Sequence, residues 1–418
     1  PCHIAPTTDV RILYTTHGFL PRDIPHRNQR IPNGSQMACA TQAHRCPTRQ
    51  HIDNTGGLKF GLHIRQSSSR MAPKIRMGFI GVGSMGFSHL QLFHKECHRH
   101  AEAVALCASD PGRITRAMEV APNINLFKRE KDLIHSNLDA VVVSSPNFTH
   151  VPLALETLKA GKHLFLEKPV GITATECRKL FRATEKSDRV LMIGHELRYS
   201  PFFAKFKTLI DGGAIGTPHM TWCKEFRGPF LPKSRNWIQD RRKSGGCLVD
   251  KNCHHFDLMN WWMNSRPKHV SAFGSNAVNR IIPGTNQVHD HAAVNWEYAN
   301  GAKGTLHLCL FGHKPPKETL EMGIVGDCGI LQTDLDNLKI LHWQHGKHKG
   351  EPRVIKVKAK RGIGWGGHLG FAEMHPAFIK AIRSGKTPLT SVANTIDGTL
   401  LAIAAEESTR TRKIITIR

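Results

Sequence analysis

The chain has 418 residues and a formal charge of +25, with 58 Lys and Arg against 33 Asp and Glu, and its length points to two domains plus additional sequence. No apolar run approaches the ~20 residues that span a bilayer, and no secretory h-region opens the chain; the 11 scattered cysteines form no CxxC pair, so reduced thiols in a soluble cytoplasmic protein are expected. Basic residues are spread out, in short groups such as Gln239 to Lys243 and Val354 to Arg361, and aromatics make up only 7% of the chain, which argues against nucleic acid as a partner and for a surface that attracts anionic ligands.

Residues 1–70 show neither helical nor strand periodicity. They carry 9 Lys and Arg against 3 Asp and Glu, so most of the positive charge lies beyond them. Strong patterning begins at Met71, and the expectation is that translation starts there, with 1–70 an upstream or disordered extension; an organellar transit peptide is the alternative reading.

The apolar run Ile75 to Val82 predicts a strand. It leads into Gly81-Val82-Gly83-Ser84-Met85-Gly86 and then a helix, FSHLQLFHKE, which is G-x-G-x-x-G between strand and helix. The first glycine permits the turn, the second lets pyrophosphate approach the backbone, and the third allows close helix packing. The helix N-terminus supplies N–H donors to phosphate. A second strand, Ala103 to Ala108, ends at Ser109-Asp110, where a carboxylate would repel a 2′-phosphate and favour NAD. Arg113 nearby keeps NADP open, and Asp110 also reads as the start of a helix before Pro111. Further strands are expected at Asp139 to Ser145, His163 to Pro169 and Arg189 to Leu197, with helices between them. That alternation predicts a parallel doubly wound sheet whose ligand lies at the strands' carboxyl ends. The loops there are Ser144 to Asn147, Glu167-Lys168-Pro169 and His195 to Tyr199.

Beyond Arg198 a helix (SPFFAKFKTLIDGGAIG) precedes strands HMTWCKEF, HVSAFGSNAV, HAAVNWEYANG, GTLHLCLFG and LEMGIVG. Short turns such as Ala299-Asn300-Gly301 suit an antiparallel sheet. Two closing helices, EMHPAFIKAIRSG and NTIDGTLLAIAAEESTR, are expected to pack on the first domain or its border.

Three segments, GFIGVGSMGFSHL, VVVSSPNFTHVPLALETLKAGKHLFLEKP and SGGCLVDKNCHHFDLMNW, resemble in this order the signature segments of the Gfo/Idh/MocA family, named for glucose-fructose oxidoreductase, inositol dehydrogenase and a rhizopine-catabolism protein. The resemblance runs from about Pro73 to the C-terminus. It implies an α/β chain: a Rossmann domain over 72–197 binding NAD or NADP, then an α/β domain over 198–418 with an open, mainly antiparallel sheet that serves a homodimer or homotetramer. It also implies that Lys168, Asp250 and His254 line a substrate hydroxyl. Those residue types suit alcohol oxidation, because a histidine takes the hydroxyl proton and an ammonium stabilises the developing alkoxide. Asp250 and His254 are four apart and share one helix face. By the same resemblance Gly81, Gly83, Ser84, Met85 and Gly86 hold pyrophosphate, Asp110 the adenine ribose, and Ser145, Pro146, Asn147, His150 and Glu167 the nicotinamide side. Trp237 sits where relatives have Trp-Arg, with Ile238 in place of the arginine. Arg198, Tyr199, Arg227, His255 and His368 are candidate substrate contacts.

Cys253, His254, His255 and Asp257 also invite a metal reading. Adjacent helical side chains point about 100° apart, so Cys253, His254 and His255 cannot converge on one ion, and no metal is expected. Cys253 is assigned to packing, His255 and Asp257 to support, and Leu258, Trp261 and Trp262 to the buried side; Lys251 has no role. The expected function is a dehydrogenase acting on a secondary hydroxyl of a sugar, polyol or sugar derivative. A glycosidase using bound NAD transiently and a non-catalytic cofactor sensor are the alternatives.

Overall fold

The run IRMGFI forms β1 (Ile75–Ile80). It is followed by α1 (Ser84–Cys97), β2 (Ala101–Cys107), α2 (Pro111–Val120), β3 (Asn125–Phe127), α3 (Glu130–Ile134), β4 (Ala140–Val143), α4 (His150–Lys159), β5 (His163–Leu166), α5 (Ala174–Thr184) and β6 (Leu191–Ile193). These belong to a computed structural model that describes residues 72–230, 233–279, 286–312, 319–359 and 369–418. The six strands pair in the order β3-β2-β1-β4-β5-β6, each pairing parallel. Parallel strands are covered on both faces and read as continuous apolar runs; Ala140 to Val143 in β4 are accordingly all buried. The order reverses between β1 and β4, so the loops leaving their carboxyl ends open a crevice.

The second half begins with α6 (Pro201–Asp211), whose first turn is set by Pro201 and by the Ser200 hydroxyl accepting the Phe202 N–H. Then come β7 (Pro218–Phe226), a short α7 (Arg241–Ser244), α8 (Cys253–Met263), β8 (Pro267–Ser275), β9 (His291–Tyr298), β10 (Lys303–Cys309), β11 (Thr319–Gly326), β12 (Gly329–Asp334), β13 (Lys339–Gln344), β14 (Arg353–Lys356), α9 (Phe371–Ser384), α10 (Val392–Thr411) and β15 (Ile415–Thr416). The nine strands run in the order β14-β13-β12-β11-β7-β10-β9-β8-β15. All pairings are antiparallel except β7 with β10.

Strict alternation aims one face of this sheet inward. In β9, Ala292, Val294, Trp296 and Tyr298 are buried and join a core with Phe256, Met259 and Trp262 of α8. The other face is open, with Met220 52%, Phe226 38% and Phe273 63% exposed. The closing helices tie the two halves together. Phe371, Met374 and Phe378 of α9 pack into the core that holds Phe79 and Phe165 of the first sheet. In α10, Val392, Ile396 and Leu400 join the other face of that sheet, while Leu401, Ala402 and Ala405 join the second core.

α10 also grips the turn that carries Asp250. Gly246 has φ +106°, and a Cβ there would meet Glu406 Cδ at 2.3 Å, so only glycine lets this carboxyl approach. Glu406 Oε1 accepts the Leu248 N–H at 2.8 Å. Burial pushes the Glu406 carboxyl up from 4.5 to about 7. Between those values the native state keeps a proton that the unfolded state releases, so stability falls as pH rises through this window, by about 3 kcal/mol in all. Urea titrations at pH 5 and pH 8 test this: Glu406→Gln is expected to remove that part of the pH dependence and to be the more stable form at pH 8, and an unchanged dependence contradicts the assignment.

Candidate active site

The glycine loop after β1 is shaped for a phosphate. Gly81 has φ +86°, and a Cβ there would meet the Ser144 carbonyl oxygen at 2.9 Å, while one on Gly86 would meet the Gly81 oxygen at 2.1 Å. Gly83 has room, its nearest neighbour being Arg113 Nη1 at 3.6 Å from the Cβ position. Gly83 also caps α1 with no side-chain hydrogen bond, so the N–H groups of the first turn, Ser84 and Met85 included, are left for an anion. These features fit the pyrophosphate of a nicotinamide dinucleotide. Asp110 lies just past the carboxyl end of β2, where it caps α2 by accepting the Arg113 N–H at 3.0 Å and sits 3.7 Å from the Arg113 guanidinium.

At the carboxyl ends of β4 and β5 the loops are bound to one another. Ser145 Oγ and Thr149 Oγ1 are 2.5 Å apart, and Pro146 precedes a 3₁₀ turn over Asn147–Thr149. The two ring nitrogens of His150 lie 2.9 Å from the Pro169 carbonyl and 3.0 Å from that of Ser145. Asn147 reaches the second half, its Nδ2 donating to Ser244 O at 2.9 Å and to Asp250 Oδ1 at 3.1 Å. Lys168 Nζ donates to the Asp250 backbone carbonyl at 2.7 Å. Burial works to lower the Lys168 ammonium, but Asp250 foremost, with Glu167 and Glu196, outweighs it and the net direction is up. Asp250 is likewise buried, yet Lys168, Lys251 and the Asn147 bond hold its carboxyl low.

Leu248–Asn252 is a single π-helical turn leading into α8. It keeps Asp250 and His254 near one side, since four residues nearly complete a turn in either helix type. His254 Nδ1 lies 3.1 Å from Glu196 Oε2, and the His195 ring stands edge-on to it at 5.5 Å. His195 is fully buried, with no hydrogen-bond partner for either ring nitrogen among the described residues. The Cys253 Sγ faces the Asp250 carbonyl at 4.0 Å, and His255 turns to Glu225 at 3.5 Å. The neighbouring groups therefore diverge, and among the described residues no three His, Cys, Asp or Glu side chains converge as metal ligands.

A buried chain missed by the sequence reading stands behind Lys168. His375 Nδ1 is 2.6 Å from the Phe371 carbonyl, His375 Nε2 is 2.9 Å from His89 Nδ1, and His89 Nε2 is 2.7 Å from Glu167 Oε1. A carbonyl only accepts, so His375 Nδ1 carries a proton. Burial holds the His375 ring neutral, its pKa well below the usual range; its Nε2 therefore accepts from His89. One proton then lies between His89 and Glu167. Burial alone would raise the Glu167 carboxyl, but the His89 bond reverses this and holds it low. Glu167 Oε2 meanwhile accepts the Lys168 N–H at 3.0 Å, so the pair fixes the backbone that aims Lys168. Glu196 was also missed, although its loop was singled out. The signals were a histidine on the apolar face of FSHLQLF, another in FAEMHPAF, and an acid beside His195; none of them discriminates on its own.

Two expected pocket residues are engaged elsewhere. Arg198 is buried in a two-pronged pairing with Asp257, at 2.8 and 2.7 Å, and donates to the Asn394 carbonyl at 2.8 Å; it anchors α8 to α10 and is not free to meet a substrate. The Tyr199 hydroxyl lies 3.3 Å from Thr390 Oγ1 and 3.5 Å from Met192 Sδ, a packing role. Arg227 Nη1 sits 3.4 Å from Glu225 Oε1, and His255 shares that carboxylate. Trp237 is half-buried in a 3₁₀ segment, Ser234–Gln239, with Ile238 buried beside it in sequence. His368 lies outside the described residues.

The family model "Oxidoreductase family, NAD-binding Rossmann fold" matches residues 75–195, and "GFO/IDH/MocA C-terminal domain" matches residues 203–332. The myo-inositol 2-dehydrogenase of Thermotoga maritima is 27% identical over 350 residues, 82% of this chain and 98% of that protein. YrbE, an uncharacterized oxidoreductase of Bacillus subtilis, is 30% identical over 237 residues, 56% of this chain and 67% of that protein. Among solved structures, an oxidoreductase domain protein from Kribbella flavida shares the fold with TM-score 0.73 at 24% identity, covering 83% of this chain and 100% of that one. With its phosphate cradle and its second sheet both matched, the chain belongs to the Gfo/Idh/MocA family of NAD-binding oxidoreductases.

Proposed function

We propose that this protein is an NAD-linked dehydrogenase that oxidises a secondary hydroxyl of a polyol or sugar derivative, with Lys168, Asp250 and His254 as its catalytic residues. The observation that carries the reading is the gathering of these residues at the carboxyl edge of the parallel sheet, with Lys168 Nζ 2.7 Å from the Asp250 carbonyl and His254 held beside Glu196 at 3.1 Å. The inositol dehydrogenase among the relatives supports a polyol as substrate.

Bound NAD supplies the hydride acceptor. His254 takes the hydroxyl proton, as an imidazole suits, with Glu196 Oε2 3.1 Å from its Nδ1. Lys168 is held in its charged form and is not the base; its ammonium stabilises the oxygen as negative charge develops. Asp250, kept ionised, orients a substrate hydroxyl and is itself oriented by Asn147. His89 and Glu167 position Lys168 without touching substrate. We further propose that the open face of the second sheet, where Met220, Phe226 and Phe273 are exposed, pairs with a second copy of the chain; light scattering that gives a monomeric mass at working concentration contradicts this.

Lys168→Met is expected to lower kcat by about 10²–10³-fold, as loss of an oxyanion donor does. His89→Gln, which retains a donor but not the imidazole that links Glu167 to His375, is expected to lower kcat by about 10–100-fold through misplacement of Lys168, with little change in the KM for NAD. Steady-state kinetics on folded variants check both. Full activity in Lys168→Met, or an effect of His89→Gln confined to KM, contradicts the assigned roles.

A further inference from the structure

His195 is a buried polar side chain at the site that the reaction above does not use. It follows β6 at the carboxyl edge of the parallel sheet and is 1% exposed. Its backbone is fixed, the N–H donating to the Ile193 carbonyl at 2.8 Å, yet among the described residues neither ring nitrogen has a hydrogen-bond partner. Burial lowers the pKa of this ring, and the charges that face it, Asp257 and Glu196 against Arg198 and Lys168, do not reverse that. The ring is therefore neutral, with one N–H donor and one lone pair. Leaving both unpaired in a closed interior costs stability that a phenylalanine ring would not. A fold that carries such a group beside its catalytic residues has a use for it that packing alone does not supply.

The neighbour that gives the ring a use is His254. The two imidazoles stand perpendicular, with 89° between their planes and 5.5 Å between their centroids, and both are buried. In the oxidation proposed above, the hydroxyl proton passes to His254, the hydride leaves for NAD and the carbon–oxygen double bond forms, so a neutral ring becomes a cation inside the protein. A charge created there is stabilised only by groups already in place. Glu196, with Oε2 3.1 Å from His254 Nδ1, is one of them. Of the other charges that face His195, Arg198 is paired with Asp257 and Lys168 is held at the Asp250 carbonyl. The unprotonated nitrogen of His195 is committed to nothing among the described residues, and a neutral ring adds no repulsion to the cation. We propose that His195 is a positioning residue of the dehydrogenase, whose neutral, uncommitted ring stabilises and aims the imidazolium that His254 becomes on taking the substrate proton. This role rests on the dehydrogenase reading and adds to it a group that acts on the charged form of the base without touching substrate or cofactor.

Two variants test this. His195→Phe keeps an aromatic ring and removes both nitrogens, and His195→Asn restores one donor and one acceptor. Oxidation needs His254 unprotonated, so kcat falls as pH drops through the midpoint of its protonation. A partner for the charged form raises that midpoint. Its loss in His195→Phe should therefore move the acid limb of kcat about one unit lower in pH and reduce kcat above that limb by about three- to tenfold. The KM for the polyol and the Kd for NADH should not change, and His195→Asn should recover most of both effects. A readout that needs no turnover is NMR of the full-length protein with labelled histidine, saturated with NADH. There the His254 ring, assigned by the loss of its signal in His254→Gln, should titrate about one unit lower in His195→Phe than in the wild type. The Tm of His195→Phe should be unchanged or higher, because an unpaired polar group has been removed. An unmoved acid limb, an unmoved His254 titration, or a clear fall in Tm overturns the proposal, the last because it would show that the fold already satisfies the ring nitrogens. A wild-type protein that forms no reduced nucleotide from any polyol, while His195→Phe still moves the His254 titration, would remove the dehydrogenase reading and leave the coupling of the two rings standing.

Discussion

A lysine ammonium set part-buried where the two halves of the chain meet needs negative charge around it, and much of this structure answers that requirement. Lys168 leaves the end of β5 and donates to the Asp250 carbonyl, so the first half of the chain supplies the cation and the second half its acceptor. Burial of the charge is costly and is offset only by well-placed partners. Asp250 leads these, with Glu167 and Glu196 behind it. The same carboxylates order the rest of the site: Asp250 through Asn147, Glu196 beside His254, and Glu167 through the His89–His375 chain.

The supporting elements are recruited from far along the chain. His375 and Phe371 come from α9, more than 200 residues past Lys168, and reach it only because α9 packs on the core of the first sheet. α10 bridges both cores and places Glu406 under the turn that carries Asp250, where Gly246 alone leaves space. The Arg198–Asp257 pair fastens α8 from below and so holds His254, three residues earlier, at a fixed depth. Many polar groups are thus buried in this region with partners that fix their direction, His195 being an exception among the described residues, and a site assembled this way is stiff before anything binds.

The outline of both halves was legible in the sequence. The glycine loop, the apolar runs and their alternation located β1, β2 and β4 to β6, and the longer alternating strands β7 to β11. What escaped was short or marginal. β3, at the sheet edge, has three residues that are mostly exposed, β14 has four with little burial, and β15 is a pair of residues docked on β8. β12 and β13 alternate buried and half-buried positions, but each has only six residues with polar side chains among them and the sequence reading did not single them out. In the site, it was the resemblance of three segments to the family's signatures that singled out Lys168, Asp250 and His254, with residue type and spacing agreeing. Arg198 and Tyr199 were misread since their neighbours Asp257, Asn394 and Thr390 lie 59, 196 and 191 residues away. His89 and His375 were invisible for the converse reason: a histidine on an apolar helix face acquires meaning only from the partner that tertiary packing brings.

The proposed reaction requires direct hydride transfer from a carbinol carbon to the nucleotide at the site of Lys168, Asp250 and His254. The most direct measurement is to incubate the full-length protein with NAD and polyols carrying deuterium at the carbinol carbons, and to analyse the reduced nucleotide by mass spectrometry. The account predicts deuterium in the reduced nicotinamide ring and a matching amount of ketone. Release of free sugar from a glycoside with no net reduced nucleotide, or unlabelled nucleotide from labelled substrate, would contradict it.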